Sequence, residues 1–213
     1  KSDYLDAKGR IALRAGVKVS DFIDAWKKFT KPSARGEIKS VSERVVLTLS
    51  NMGIDIDSTF ADELAKIEID LQEKHIHLLE GCEITLAELK KMNMKIGLVT
   101  NTSSVSRNVL SLLGIKQYFD CEIYSYEIGV LKPDVAIYNL AASRLGLRNH
   151  EVIFVGDGND QELDGAKEAG MLAIKIGKGR DELVKGKQSK KFDYEIQTLP
   201  ELLVIIEALN PQN

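Results

Sequence analysis

The stretch from Val152 to Met171, VIFVGDGNDQELDGAKEAGM, passes from four apolar residues through Gly156-Asp157 into an acidic loop, then into small residues at helical spacing. Val152-Ile153-Phe154-Val155 is a short continuous apolar run, the pattern of a strand buried on both faces of a parallel sheet. Ligands of open α/β sheets bind at the carboxyl ends of the strands, so Asp157 is expected at the rim of a crevice. Asp160, Glu162 and Asp164 crowd the same loop, and clustered carboxylates repel unless a cation or a proton lies among them. Hard oxygen donors of this kind suit Mg2+. The competing structural role is to open a helix, because acids favour the first turn.

On both sides of this stretch, from about residue 83, helical segments alternate with short apolar runs. Residues 84–92, 105–113 and 135–145 have helical spacing, the second ending at Gly114, while 95–99 and 121–124 are strand-like. Downstream, 172–176 and 194–196 supply two more strands and 200–208 a closing helix. Such alternation implies a parallel sheet with helical crossovers, a Rossmann-like α/β core with helices on both faces. Residues 1–78 read instead as helices. Phe22, Ile23, Trp26 and Phe29 follow Ser20, a candidate cap, and Trp26 on that apolar face is expected in a core. Ser40 and Glu43 form a capping box before Val41, Val45, Leu49 and Met52. Phe60, Leu64, Ile67 and Leu71 continue the pattern, with Thr59 and Asp62 as a second capping box. The picture is a smaller all-α insert before an α/β core.

Composition excludes several classes of function. The 213 residues suffice for one full core and a small accessory domain. With 29 basic and 32 acidic residues the formal net charge is -3, so no bulk field draws the chain to nucleic acid or a membrane surface. The one basic cluster, Lys185 to Lys191, is expected as a solvated loop. The two cysteines, Cys82 and Cys121, are far apart and in no metal-like spacing, which suits a reducing, cytoplasmic setting. No apolar stretch approaches the ~20 residues of a spanning helix. Oligomeric state is not legible.

Three loops fall at the ends of the expected strands. Leu98-Val99-Thr100-Asn101-Thr102-Ser103-Ser104 gathers hydroxyls and amides where an anion is readily cradled. In Gly129-Val130-Leu131-Lys132-Pro133-Asp134, Pro133 stiffens a turn and Lys132 can aim an ammonium at negative charge. Gly156-Asp157 is the third. In this order and spacing the chain resembles the haloacid dehalogenase-like hydrolase superfamily. Thr100-Asn101 matches the second motif of that superfamily, whose Thr or Ser hydrogen-bonds the transferring phosphoryl group. Lys132, in LKPD, matches the third, the lysine that steadies nucleophile and phosphoryl charge, and Asp157, in VGDG, matches the fourth, a carboxylate that helps hold Mg2+. The second acid of the fourth motif is open between Asp160, by side-chain type, and Glu162, by register with Gly165-Ala166 and Ala169-Gly170-Met171. The helices before residue 80 resemble a C1-type cap. Residues 1–12 then lead into a cap at 13–80, followed by the core at 81–213.

The first motif, an Asp-x-Asp-x-Thr loop after an N-terminal strand, has no match at Lys1-Ser2-Asp3. Asp55-Ile56-Asp57-Ser58-Thr59 fits the letters, but Asn51-Met52-Gly53 before it reads as a helix end, not a buried strand. In the superfamily the strand of the first motif lies between those carrying motifs two and four. Its absence would leave buried backbone groups without partners. The nucleophilic aspartate is therefore expected upstream of Lys1. The resemblance implies a Mg2+-dependent phosphatase acting on a small phosphorylated metabolite. One aspartate would take the phosphoryl group, and a second, two residues on, would protonate the leaving group and then activate water. A phosphomutase, a metal-independent dehalogenase and a non-catalytic binding or regulatory protein on the same scaffold are the rival readings. Lys31, Arg35, His75 and His77 are expected to be structural or solvated.

Overall fold

The computed structural model describes residues 2–177 and 187–209, with side chains from residue 6 onward. Lys185 lies outside the described residues. Two compact units emerge, one comprising Lys1–His77, Asn101–Leu113 and Tyr124–Gly129, the other Leu78–Thr100, Gly114–Ile123 and Val130–Asn213.

The first unit is helical: α1 (Ser2–Arg14), α2 (Val19–Lys28), α3 (Thr30–Ala34), α4 (Val41–Ser50) and α5 (Ser58–His75). α5 packs on α1 and α4, and α2 on α1 and α4. Their shared core holds Ile11, Ala12, Phe22, Trp26, Val45, Leu49, Leu64 and Ala65. Burying each of the larger side chains is worth roughly 1.5–3 kcal/mol, which is what turns four short amphipathic helices into one unit. Half of the Ser40 capping box forms: Ser40 Oγ accepts from Glu43 N at 3.0 Å, while the Glu43 carboxylate reaches past Ser40 and accepts from Lys39 N at 2.6 Å.

Two expected caps differ. α2 begins after Lys18, and the Ser20 hydroxyl, inside the helix, donates to Asp21. α5 begins two residues before Phe60 and is capped by Asp57, whose carboxylate accepts from Phe60 N at 2.8 Å. A charged carboxylate satisfies an orphan amide and also meets the positive end of the helix, an advantage a Thr hydroxyl lacks.

The second unit carries α6 (Cys82–Lys91) and β1 (Gly97–Thr100). The chain then returns to the first unit for residues 101–113, where the expected helix breaks into a 3-10 turn, Ser104–Ser106, and a short α7 (Val109–Leu112). Ser104 Oγ donates to Lys39 O and Thr102 Oγ1 to Ser106 Oγ, local side-chain bonds that compete with helix formation. β2 (Cys121–Tyr124) follows, then α8 (Ser125–Ile128) in the first unit. The rest of the second unit is α9 (Val135–Leu145), β3 (Ile153–Gly156), α10 (Glu162–Glu168), β4 (Leu172–Ile176), β5 (Tyr194–Ile196) and α11 (Glu201–Leu209).

β3, β4 and β5 pair in parallel, with Val155 opposite Ile174 and Ile176 opposite Ile196. Because strand side chains alternate, Ile153, Val155, Leu172, Ile174 and Ile176 pack with Leu89 of α6 and with Leu202 and Ile206 of α11. Phe154 points the other way, edge-on to Tyr138 of α9 with ring centroids 5.2 Å apart. α10 packs on β3 and β4. The α/β class is as expected, with helices on both faces of the sheet. Among the described residues the strands form two sheets, β1–β2 and β3–β4–β5, and the ladder breaks between the strand ending in Thr100 and the strand ending in Gly156. No helix of the described residues is long and apolar enough to cross a membrane.

Gly36 tests the packing of the first unit. It has φ +67°, and a Cβ there would lie 1.9 Å from Tyr126 O. Gly53 has φ +79° with open space around it. Thermal or urea denaturation should show Gly53→Ala costing roughly 1–2 kcal/mol, the left-handed penalty alone. Gly36→Ala should cost a further ~1–3 kcal/mol from overpacking. Equal losses would contradict the close approach.

Candidate active site

β3 stops at Gly156, and the loop that follows is shaped by what glycine leaves empty. A Cβ on Gly156 would stand 2.2 Å from Glu162 Oε1, so the Glu162 carboxylate lies where a side chain at residue 156 would be. Glu162 opens α10 and is 6% exposed. Its Oε1 accepts from Gly158 N at 3.1 Å and its Oε2 from Lys132 Nζ at 2.6 Å. The Lys132 ammonium also lies 5.5 Å from the centroid of the Phe154 ring. A mostly buried ion pair of this kind persists only when its remaining hydrogen-bonding capacity is met. The neighbours meet it.

Lys132 precedes Pro133 through a cis peptide bond. Asp134 then caps α9, its carboxylate accepting from Ala136 N at 2.9 Å. α10 reaches this loop through Gly165, where a Cβ would be 2.3 Å from Pro133 O. From α9, Tyr138 OH donates to Glu162 O at 2.6 Å. Burial, with the charges of Glu162 and Asp164, pushes the Tyr138 phenol well above its ordinary pKa, so it remains a donor.

The four acids of the loop separate in space. Asp157 forms an Asx turn, its Oδ1 accepting from Asn159 N and its Oδ2 from Asn159 Nδ2, both at 3.0 Å. Asp160 is exposed, and it and Gln161 both hold positive φ, +52° and +58°. Those two residues turn the chain so that Asp160 faces outward and Glu162 inward. Asp164 is inside α10, where it accepts from Lys190 N and Lys191 N, the latter at 2.8 Å.

Residues 187–191, expected as a solvated loop, are fastened to the acidic loop by their backbone. Ser189 N donates to Gly158 O at 2.7 Å, Ser189 Oγ accepts from Leu163 N at 3.0 Å, and Gln161 N donates to Lys187 O at 2.9 Å. The lysine side chains themselves are exposed. These backbone contacts hold the two left-handed residues, each of which costs about 1–2 kcal/mol on its own. Sequence reasoning missed Ser189 and Tyr138 because each meets the loop from more than 20 residues away. The Asp134 cap was missed as well, although an Asp directly before a helical pattern is a signal that could have found it.

Lys132, Glu162 and the Asp157 loop are thus assembled at the carboxyl end of β3. Thr100 ends β1, half buried in the same unit, and Asn101 follows it as the first residue of a stretch grouped with the first unit.

The second unit is thus a parallel sheet flanked by helices, with a lysine and a carboxylate loop joined at the carboxyl end of β3. The pattern of the haloacid dehalogenase-like hydrolases matches residues 27–176, and the chain belongs to that family. It is 29% identical over 217 residues to glyceraldehyde 3-phosphate phosphatase of Methanocaldococcus jannaschii, spanning 98% of this chain and 92% of that protein. To the protein of the same name in Methanopyrus kandleri it is 36% identical over 127 residues, 59% of this chain and 54% of that one. In fold it is similar to a 2-haloacid dehalogenase from Pseudomonas syringae, with a TM-score of 0.70, 24% identity, and 93% and 85% of the two chains covered. It is likewise similar to a HAD phosphatase from Thermococcus onnurineus, with a TM-score of 0.65, 23% identity, and 95% and 87% covered.

The buried pair makes a double-mutant cycle informative. Lys132→Met alone should destabilise by roughly 3–5 kcal/mol, since it leaves the Glu162 charge buried and unpaired. Lys132→Met with Glu162→Leu should recover a large part of that loss in urea denaturation. Additive losses would show that the two side chains do not share a buried contact.

Proposed function

We propose that the protein is a phosphatase of small phosphorylated metabolites that passes the phosphoryl group to an aspartate and then to water. The observation that carries this reading is the joining of Lys132 to the Asp157 loop through one buried carboxylate, Glu162, at the carboxyl end of β3. The named activities of the relatives support the substrate class.

In this reading Lys132 places a positive charge beside the transferring oxygens, where a preorganised ammonium favours the charge that develops in the transition state. The Thr100 hydroxyl, at the end of β1, donates to the same group. Glu162 is the second acid of the loop, in preference to Asp160. Its part is to hold Lys132 and Gly158 in register, and the outward turn at Asp160 supports the choice. The helices of the first unit serve as a C1-type cap.

For Mg2+ the donor set fits in part. Asp157 is a hard carboxylate steadied by Asn159 and engaged with no cation among the described residues, where no group of three metal-ligating side chains occurs. One or two carboxylates with waters and substrate phosphate are a common magnesium environment, and Asp157 would be the carboxylate supplied here. When bound, the ion screens the like charges of phosphate and nucleophile.

The nucleophile in this reading is an aspartate on a strand that pairs with β1 and β3. Each of those strands has one open edge among the described residues. α9 lies against both, Tyr138 on Phe154 and Leu145 beside Gly97. Open edges inside a sheet leave backbone groups unpaired, which favours such a strand.

Steady-state hydrolysis of p-nitrophenyl phosphate with and without Mg2+ tests the assignment. Asp157→Asn and Lys132→Ala should each lower kcat by roughly 100-fold or more. Turnover near wild type in both would defeat it. A panel of glyceraldehyde 3-phosphate and phosphoserine, scored for free phosphate against isomerised product, separates a phosphatase from a mutase.

A further inference from the structure

The strap of residues 187–189 carries one side chain that the catalytic reading does not use, that of Gln188. The backbone is tied down on both sides of it: Lys187 O accepts from Gln161 N at 2.9 Å, and Ser189 N donates to Gly158 O at 2.7 Å. Ser189 Oγ adds a third tie by accepting from Leu163 N at 3.0 Å. Gln188 is exposed, and an exposed glutamine on a free loop gains little from a single hydrogen bond, because ordering its side chain costs about as much as the bond returns. On a fixed backbone less of that cost remains. The Gln188 amide lies close over the acidic loop, its Oε1 3.8 Å from where a Cβ on Gly158 would stand.

From there Gln188 Nε2 donates to Asn159 Oδ1, and Asn159 Nδ2 donates in turn to Asp157 Oδ2 at 3.0 Å. The carboxylate sets the direction of this relay. A carboxylate can only accept, so Asn159 turns its NH2 toward Asp157 and its carbonyl away. The outward carbonyl needs a donor, and Gln188 supplies it. With the Asn159 amide reversed, two acceptors would face each other at Asp157. Asn159 thus holds both oxygens of Asp157, Oδ1 through its backbone N–H and Oδ2 through its side chain. The first hold is fixed by the chain. The second lasts only while the far end of the amide is held.

We infer that Gln188 is a positioning residue for Asp157, acting through Asn159 and touching neither substrate nor ion. The inference rests on the reading of Asp157 as the carboxylate offered to Mg2+, and it adds the group that fixes the plane of that carboxylate. Partners behind a ligand orient it and so set how well it meets the ion.

Binding of Mg2+ alone to the full chain, followed by isothermal titration calorimetry, tests this without turnover. Gln188→Met keeps the length of the side chain and removes the donor, and it should weaken Mg2+ binding by roughly three- to tenfold, the worth of one hydrogen bond. Asn159→Ala should weaken it by roughly tenfold or more. Adding Gln188→Met to Asn159→Ala should bring no further loss, since the path is already cut. The thermal midpoint without Mg2+ should not move in Gln188→Met. In p-nitrophenyl phosphate hydrolysis its loss should fall on the Mg2+ concentration for half-maximal turnover rather than on kcat at saturating Mg2+, whereas a merely structural role would lower the midpoint and kcat. Mg2+ binding that Gln188→Met leaves unchanged, or an equal loss from Gln188→Met with and without Asn159, would overturn the inference and leave the phosphatase reading standing. No Mg2+ binding by the unsubstituted chain would overturn the reading of Asp157 and this inference with it. Gln188→Met changes an exposed side chain and no backbone contact, which keeps the test decisive if Asn159→Ala does not fold.

Discussion

The Glu162 carboxylate, seated in the space that Gly156 leaves empty, is the contact on which the arrangement of the second unit's loops depends. It accepts from Lys132 on one side and from Gly158 on the other, so a single side chain ties the LKPD loop to the loop after β3. Two glycines make this approach feasible. Gly156 admits the carboxylate and Gly165 lets α10 close on Pro133. The geometry also explains why the charges tolerate burial. Each is held against its opposite at hydrogen-bonding distance, and the carboxylate has a backbone donor as well, the condition under which desolvation is offset.

The first unit solves a similar problem differently. Its core is apolar around Trp26, but Lys8 and Arg44 both lie over the indole ring, and Lys8 is fully buried. Burial pushes the Lys8 ammonium below its ordinary pKa, and Glu68 pulls it back up. The aromatic face and the carboxylate together hold a cation inside a helical core that would otherwise exclude it. The second unit pairs its charges at a strand end, where a ligand can meet them. The first keeps its own charges among packed helices.

Much of the architecture was legible because periodicity is a local property. The strands at 121–124, 172–176 and 194–196 and the helix at 135–145 lie where apolar spacing put them, and Ser40 caps its helix as its letters suggested. The misplaced caps at Ser20 and Thr59 show the limit of a local rule: α2 starts after Lys18 with no side-chain cap, and at α5 two polar residues are candidates for one orphan amide. At α5 the carboxylate of Asp57 prevails over the nearby hydroxyl because it also meets the helix dipole. The expected helix at 105–113 is broken where Thr102, just before it, bonds to Ser106 and Ser104 bonds to Lys39 O.

By itself the sequence determined the α/β class, the order of Thr100, Lys132 and the Asp157 loop, and the family that order belongs to, because these depend on residue type and spacing along the chain. Only the tertiary structure decided how the four acids of the loop are disposed. Side-chain type favoured Asp160 and register favoured Glu162, and the left-handed turn at Asp160 and Gln161 sends one outward and the other to Lys132. That turn is held by Lys187 and Ser189, some 26 residues further along, whose contacts have no local signature. The link from Gln188 through Asn159 to Asp157 was illegible for the same reason. Gln188 lies 29 residues beyond Asn159, and which way the Asn159 amide faces is settled only once the fold has set a donor at one end of it and a carboxylate at the other.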